Sequence, residues 1–232
     1  MMIRVATFGG GTGQPVVLRA LNMLQGVEIT AVVSMADSGG SSGILRDERG
    51  ILPPSDALRC LLALANEEDP RVAELVALCR HRFEGNGSLV PDGVGHTVGN
   101  VMMAGLIEKH EMVKALKCMG RQLGVSPDRR VLPSTLEHVT LCAKLVDGTQ
   151  IRGETLIGRP AFGDRAPINR VWLEPDTAAP LSRCCLRYSA RRSMQSCAWE
   201  TSTRARLHHF FLGELQTHSR LSVANSSSSS TR

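Results

Sequence analysis

A run of glycines near the start of the chain, Gly9-Gly10-Gly11-Thr12-Gly13, constrains the fold more than any other feature. It follows the apolar run 3–8 and precedes the segment 15–21, whose pattern is typical of a helix. A turn between a strand and a helix directs backbone N–H groups and a helix N-terminus to one place, which suits a phosphate. Glycine is favoured there because a Cβ would block a ligand and restrict φ. The sequence therefore predicts a phosphate site at this turn.

The spacing of this turn departs from two well-known nucleotide motifs. No Lys-Ser/Thr pair follows it as in a P-loop, and Gln14 stands where the third glycine of G-x-G-x-x-G would fall. The β-branched segment 27–34 follows the helix and predicts a second strand, parallel to the first. We therefore expect an α/β fold, with a Rossmann-like parallel sheet and helices on both faces.

A second loop of small residues follows the second predicted strand, so both loops should lie at the carboxyl edge of the sheet, where ligands bind in open α/β folds. Asp37 is a candidate for a metal, a ribose or a substrate hydroxyl, and an Asx-type turn is the alternative. The other residues of this loop either offer hydroxyl and N–H groups to an anion or are ordinary turn residues. They are Ser38, Gly39, Gly40, Ser41 and Ser42.

Two later helices carry further candidates. Ser55 is the predicted N-cap of a helix whose buried stripe leaves Asp56 and Arg59 on the opposite face. These two residues form either a charged lip of the crevice or solvated surface. His96 and Asn100 lie four residues apart at the start of another helix, so both can face one ligand, and a structural histidine is the alternative.

The pattern after this point predicts core helices and then a β-hairpin. In the helix that begins near His96, five residues are expected to point inward: Val98, Val101, Met102, Gly105 and Leu106. Segments 139–146 and 149–157 alternate around an Asp-Gly turn, which predicts a hairpin appended to the sheet, and a last strand follows at 170–175.

Composition excludes several classes of protein. Aromatic residues make up only 3% of the chain, which argues against nucleic-acid binding by base stacking. No apolar run approaches the roughly 18 residues of a membrane helix, and no signal peptide is evident. The seven cysteines include no C-x-x-C pair and are expected to be reduced thiols in the cytoplasm.

The net charge of +5 belongs to the end of the chain. Residues 1–182 carry 19 Lys and Arg against 20 acids, whereas residues 183–232 carry eight Arg, no Lys and two acids. The end is also rich in Cys and Ser and shows no helical or strand period. We therefore expect a folded domain over 1–182 and a disordered tail over 183–232.

Several separated motifs occur in order along the chain: GGGTG, ADSGGSSGILRDERGILPPSDALRCLLALA, GHTVGN, RRVLPSTLEHVTLCAKLVDG and VWLEP. Together they resemble the YvcK/GlmR family of gluconeogenesis factors, which is similar in turn to the CofD family of 2-phospho-L-lactate transferases. The resemblance implies a Rossmann-like cytoplasmic protein that binds a nucleotide sugar of the UDP-N-acetylglucosamine type and links carbon metabolism to cell-wall precursor supply and cell shape.

The resemblance also implies roles for individual residues. Gly9–Gly13 match the phosphate-binding turn, and Asp37 matches the first acidic residue of the second loop. Ser38 stands where many members have a second Asp, which weakens a two-carboxylate metal site. Asp56 matches a position near the deazaflavin substrate of the CofD relatives. After the LEP strand the family continues with further strands and a GPGS-type loop, and no such pattern occurs after residue 182.

Three functional alternatives stay open. The first is a regulatory protein that binds a UDP-sugar or another nucleotide, with or without Mg²⁺, and signals to an amino-sugar biosynthetic enzyme. The second is a CofD-like transferase that moves a phospholactyl group from a nucleotide-activated donor to a deazaflavin alcohol. The third is an inactive product, truncated or frameshifted in the tail. A homodimer stays open in each case.

Overall fold

The computed structural model describes residues 2–83, 95–158 and 165–181. Its first element is a three-stranded parallel sheet in the order β1-β2-β3, formed by β1 (Ile3–Gly9), β2 (Val27–Val33) and β3 (Arg129–Pro133). The first two strands and their connecting helix confirm the predicted parallel βαβ unit. The sequence patterns did not predict β3, which pairs in parallel with β2.

In the described part of the chain, six helices lie between β1 and β3. α1 connects β1 to β2, and the others form the long connection from β2 to β3. Their bounds are α1 (Gly13–Asn22), α2 (Gly40–Arg49), α3 (Ser55–Ala63), α4 (Pro70–Arg80), α5 (Val98–His110) and α6 (Met112–Gln122). α2 begins inside the segment that was expected to be a loop, so residues 34–39, which include Asp37, Ser38 and Gly39, link it to β2.

A second, antiparallel sheet confirms the predicted appendage. It has the order β5-β4-β6 and consists of β4 (Thr140–Leu145), β5 (Gln150–Arg152) and β6 (Ile168–Glu174). The segment 149–157 was expected to be a strand throughout, but β5 ends at Arg152. Gly153 has a φ of +100°, which turns the chain into the short helix α7 (Glu154–Gly158).

The hydrophobic core lies on one face of the parallel sheet. The side chains of β2 that point to this face are almost fully buried: Val27, Ile29, Ala31 and Val33. α1, α3 and α6 contact this sheet, and Leu18, Leu61, Met119 and Leu123 belong to the same core cluster. Helices were expected on both faces of the sheet. Among the described residues, the helices that contact this sheet cover one face of it.

Two expectations are wrong, one about the inward face of α5 and one about the N-cap of α3. On α5, Val101 and Met102 are 45% and 36% exposed, while Gly99, Asn100 and Met103 face the core. At the start of α3, Ser55 is not the N-cap, because Pro54 takes that position and Ser55 is the first helical residue. The Ser55 hydroxyl instead accepts a hydrogen bond from Asn100 at 2.8 Å. In both helices a tertiary contact decides the orientation.

The remaining expectations, on the tail, the cysteines and membrane helices, can be compared with the described residues only. Residues 183–232 lie outside it, so the expected disorder of the tail stays a prediction. The four cysteines among the described residues, Cys60, Cys79, Cys118 and Cys142, are free thiols. Over the described ranges, no helix combines the length and apolar character needed to cross a membrane.

Two glycines of α5 provide a matched test of this packing. A Cβ on Gly99 would lie 2.6 Å from Leu58 Cδ2 and 2.9 Å from the Cys79 carbonyl oxygen, whereas a Cβ on Gly105 would meet nothing within 4 Å. We predict that Gly99→Ala lowers the free energy of unfolding by about 1–3 kcal/mol through overpacking. Gly105→Ala should raise it by up to about 1 kcal/mol through helix propensity. Urea denaturation followed by circular dichroism measures both, and equal effects would contradict the packing of α5.

Candidate functional site

The glycine turn lies at the carboxyl end of β1 and has one buried half and one exposed half. Gly9 and Gly10 are buried, whereas Gly11, Thr12 and Gly13 are exposed. Gly11 has a φ of +58°, in the left-handed region that favours glycine. A Cβ on Gly10 would approach Asp56 Oδ2 to 2.8 Å. Backbone conformation therefore selects glycine at position 11, and close approach of a carboxylate selects it at position 10.

Asp56 fills the buried side of this turn. The helical pattern of α3 placed it on the face opposite the core, which is wrong, since Asp56 is only 7% exposed. Its Oδ2 accepts the Gly11 N–H at 2.7 Å, and its Oδ1 accepts a hydrogen bond from Arg59 Nη1 at 3.0 Å. The Arg59 side chain remains 47% exposed. The predicted anion site thus already holds one anionic group that belongs to the protein.

The environment of Asp56 opposes its ionisation. Burial raises the pKa of the Asp56 carboxyl above its ordinary value, and the negative charge of Asp37 raises it further. Hydrogen bonding from Gly11 and the positive charge of Arg59 act in the other direction. Two carboxylates close enough to repel each other at the edge of the sheet attract a cation. The described residues contain no group of three or more His, Cys, Asp or Glu side chains that could hold a metal ion.

Gln14 accounts for the departure from the dinucleotide motif. It stands in place of the third glycine and is buried, and its Nε2 lies within hydrogen-bond distance of three acceptors: Thr7 O at 3.3 Å, Thr7 Oγ1 at 3.1 Å and Val32 O at 3.2 Å. Burial raises the pKa of Cys60 to about 12, so its thiol keeps its proton and donates it to Gln14 Oε1 at 3.5 Å. Gln14 therefore ties α1 to β1, β2 and α3.

A buried polar cluster unites five residues of the site: Ser41, Ser42, Ser55, His96 and Asn100. Asn100 Nδ2 donates to Ser41 Oγ at 3.0 Å and to Ser55 Oγ at 2.8 Å. Ser41 Oγ also forms a hydrogen bond with His96 Nδ1 at 2.8 Å, in which the donor depends on the tautomer of the ring. The Ser55 N–H donates to Ser42 Oγ at 3.3 Å. The structure brings these predicted residues together, and they bond to one another.

These contacts gather the N-termini of four helices. Ser41, Asn100 and Ser55 belong to the first turns of α2, α5 and α3. Asp56 of α3 accepts the N–H of Gly11, two residues before α1. A helix N-terminus carries a partial positive charge and orphan N–H groups. Four of them at one edge of the sheet create a region that favours anions, and Asp56 occupies its buried part.

The loop between β2 and α2 contacts α7, the short helix that follows β5 of the appended sheet. Asp37 Oδ1 accepts the Gly39 N–H at 2.9 Å, which is the Asx-type turn that the sequence left as an alternative. Ser38 Oγ accepts the Thr155 N–H at 3.3 Å, and a Cβ on Gly39 would lie 2.8 Å from Thr155 Oγ1. The sequence patterns gave no signal for Thr155. Through it, α7 supports the loop that carries Asp37.

Comparisons with known proteins bear out the resemblance. Residues 5–187 match a family model described as 2-phospho-L-lactate transferase CofD. The gluconeogenesis factor of Bacillus subtilis is 39% identical over 179 residues, which are 77% of this chain and 52% of that protein. The gluconeogenesis factor of Listeria monocytogenes is 38% identical over 178 residues, 76% of this chain and 51% of that protein. The chain spans about half the length of these curated relatives.

A solved structure supports the fold. The crystal structure of a UPF0052 family member from Bacillus halodurans superimposes with a TM-score of 0.67 at 37% sequence identity. The match covers 78% of this chain and 54% of that chain. The agreement therefore covers most of this chain, and nearly half of the solved relative lies outside the match.

The raised pKa of Asp56 predicts a pH dependence of stability. The folded protein holds this proton to a higher pH than the unfolded chain, whose carboxyl has its ordinary value of 3.8. Between these two values the folded state binds more protons, so the contribution of Asp56 to stability falls as the pH rises. We predict that Asp56→Asn flattens the fall in the free energy of unfolding above pH ~4, measured by urea denaturation over a pH series.

Asp69→Asn is the control for this measurement. Hydrogen bonds from Arg71 lower the pKa of partly exposed Asp69, so its titration in the folded protein lies below the ordinary value. This variant should leave the slope above pH ~5 unchanged, because Asp69 is ionised there in both the folded and the unfolded protein. If Asp56→Asn has the same slope as the wild-type protein, the buried position of Asp56 is contradicted.

Proposed function

The chain belongs to the CofD family of 2-phospho-L-lactate transferases, and within that family we propose that it is a nucleotide-sugar-binding protein of the gluconeogenesis-factor type. The observation that carries the proposal is the linkage of four helix N-termini: hydrogen bonds join those of α2, α3 and α5, and Asp56 of α3 joins them to the glycine turn before α1. The ligand is a UDP-sugar such as UDP-N-acetylglucosamine. Its binding reports on the supply of cell-wall precursors during gluconeogenic growth and so influences cell shape.

The phosphates bind at the exposed half of the turn. Gly11 to Gly13 are exposed, and a Cβ at Gly11 or Gly13 would meet nothing within 4 Å, so the turn is open to an approaching phosphate. The first N–H groups of α1 have no partner within the helix and are the donors that a phosphate needs. Half-exposed Arg59 supplies positive charge next to them.

The carboxylates of Asp37 and Asp56 require a cation to accompany the phosphates of the ligand. A diphosphate next to Asp37 and Asp56 adds negative charge to a place where burial and mutual repulsion already raise the pKa of Asp56. Mg²⁺ commonly binds one or two carboxylates together with substrate phosphates and keeps several waters. The two aspartates fit this role, and the bound cation would neutralise the charge between them and the diphosphate.

The rest of the ligand extends over the loop between β2 and α2. A ribose or sugar hydroxyl donates to the Asp37 carboxylate, which is half-buried and held by the Gly39 N–H. The buried cluster around Asn100 fixes α2, α3 and α5 relative to one another, so it acts on the ligand by positioning these helices. The ligand-bound protein then regulates an amino-sugar biosynthetic enzyme.

A second candidate is a phospholactate transferase. The matching family model is described by that activity, and the pair Asp37 and Asp56 beside helix N-termini resembles an electrostatic site for phosphate chemistry. Incubation with a deazaflavin alcohol and a nucleotide-activated phospholactate, followed by chromatography, tests this activity. Formation of the phospholactyl deazaflavin would favour the transferase, and its absence together with UDP-sugar binding favours the regulatory protein.

Gly13 offers a substitution that affects the ligand and not the fold. A carboxylate in the first turn of a helix interacts favourably with the helix dipole, and the position has open space around it. Gly13→Asp should therefore keep the melting temperature of the ligand-free protein. The added negative charge should weaken UDP-N-acetylglucosamine binding at least ~10-fold, or about 1.4 kcal/mol, measured by isothermal titration calorimetry with MgCl₂.

Gly105→Asp makes the same change of charge in the middle of α5, where a Cβ also has open space. It should leave the affinity for UDP-N-acetylglucosamine unchanged. At a ligand concentration of about 100 times Kd, the wild-type protein should gain about 2.7 kcal/mol of stability. A wild-type protein that shows neither heat of binding nor a thermal shift at millimolar ligand would refute the proposed function.

A further inference from the structure

The N-terminus of α2 is buried and has no side-chain cap. Its N-cap is Gly39, which carries no side chain that could accept a hydrogen bond, and Ser41 and Ser42 in the first turn are 5% and 1% exposed. The Gly43 N–H donates to Gly39 O at 2.9 Å. Among the described residues, the N–H groups of Gly40, Ser41 and Ser42 have no hydrogen-bond partner. Buried N–H groups are rarely left unpaired in folded proteins, so this helix end lacks an acceptor.

A second unpaired group lies against the same turn. His96 is 8% exposed, and its Nδ1 forms a hydrogen bond with Ser41 Oγ at 2.8 Å. Its other ring nitrogen, Nε2, has no hydrogen-bond partner in the part of the chain that the structure describes. Nε2 is polar in either tautomer of the ring, as a donor or as an acceptor, so its burial is unfavourable without a partner. The first turn of α2 and the ring of His96 therefore present unpaired polar atoms at one place.

Gly40 gives access to this place. It is exposed, whereas the three residues that follow it are buried. Its φ of +48° lies in the left-handed region that favours glycine. A ligand atom can therefore approach the first turn of α2 past a residue that has no side chain to block it.

The charge around this turn determines which ligand group fits. A helix N-terminus carries a partial positive charge and favours an anion that accepts several hydrogen bonds at once. Asp37 uses Oδ1 to accept the Gly39 N–H, which leaves the next N–H groups of α2 to a ligand. Because Asp37 places a negative charge at the same helix end, an anion needs a donor in addition to the helix. His96 supplies this donor when Nε2 carries the ring proton.

We propose that the N-terminus of α2 and His96 form an oxyanion subsite, separate from the phosphate site at Gly11–Gly13. The N–H groups of Gly40 and Ser41 and the Nε2–H of His96 donate to the oxygens of a phosphate or a carboxylate group. In the bound state the Ser41 hydroxyl donates to Nδ1, which keeps the ring proton on Nε2. The ligand class is a compound with one acidic group for each subsite, and His96 contacts this ligand directly in addition to positioning the helices.

The experiment titrates the full isotope-labelled chain with sodium phosphate or with sodium acetate, at constant ionic strength and without nucleotide. Nuclear magnetic resonance follows the Gly40 amide and His96 Nε2 as reporters of the oxyanion subsite, and the Gly13 amide as the reporter of the glycine turn. We expect the Gly40 amide and Nε2 to shift together, with one Kd. A tighter response to phosphate indicates a phosphoryl group as the natural ligand group, and a tighter response to acetate indicates a carboxylate.

Two substitutions of His96 separate a ligand contact from a structural role. The amide of an asparagine side chain lies where Nδ1 was, whereas that of a glutamine lies near Nε2. His96→Asn should keep the bond to Ser41 and weaken oxyanion binding at Gly40 at least ~10-fold, because a hydrogen bond to a charged group is lost. His96→Gln should retain the response. His110→Asn makes the same change at the other end of α5 and should leave it unchanged. Circular dichroism verifies that each variant folds.

Three results would overturn the inference. The first is no response of the Gly40 amide and His96 Nε2 to either oxyanion, since a water molecule would then be the partner of Nε2. The second is normal binding by His96→Asn together with weak binding by His96→Gln, which is the order that a purely structural bond to Ser41 predicts. The third is a Gly13 amide that shifts with phosphate while Gly40 does not, a result that leaves the phosphate site of the proposed function intact. A response of Gly40 without one of Gly13 supports the oxyanion subsite and counts against the site at the glycine turn.

Discussion

The contact between the Asp56 carboxylate and the Gly11 N–H connects the fold to the site. It joins the first turn of α3 to the turn between β1 and α1, across 45 residues of sequence. A buried carboxylate is costly unless hydrogen-bond donors and positive charge offset its lost hydration, and here Gly11 and Arg59 provide both. The contact also explains Gly10, because any side chain there would collide with Asp56 Oδ2.

Local patterns were sufficient where local chemistry decides the structure. The glycine turn, the βαβ unit and the hairpin follow from residue type and spacing. α6 is strongly amphipathic, and the structure buries its apolar residues Met112, Leu116 and Met119. α5 is apolar nearly all round, so its sequence contains little information on which side faces inward. There the hydrogen bonds of Asn100 and the close packing of Gly99 select the inward side.

Other features depend on distant residues that no local pattern contains. Asp56 is polar and follows a proline pair, which is typical of an exposed first turn, and only the arrival of the Gly11 N–H makes its burial favourable. The segment that forms β3 is short and rich in arginine. It becomes a strand because β2 offers a ladder and Arg129 bonds to Val27 O, Leu24 O and Asn22 at the end of α1.

The charge at the glycine turn limits where a ligand phosphate can bind. The buried part of the turn is occupied by Asp56, so a ligand phosphate has only the exposed part, Gly11 to Gly13. That part lies at the carboxyl end of β1 and directly before α1. Electrostatic attraction between the helix N-termini and that ligand strengthens as water is excluded.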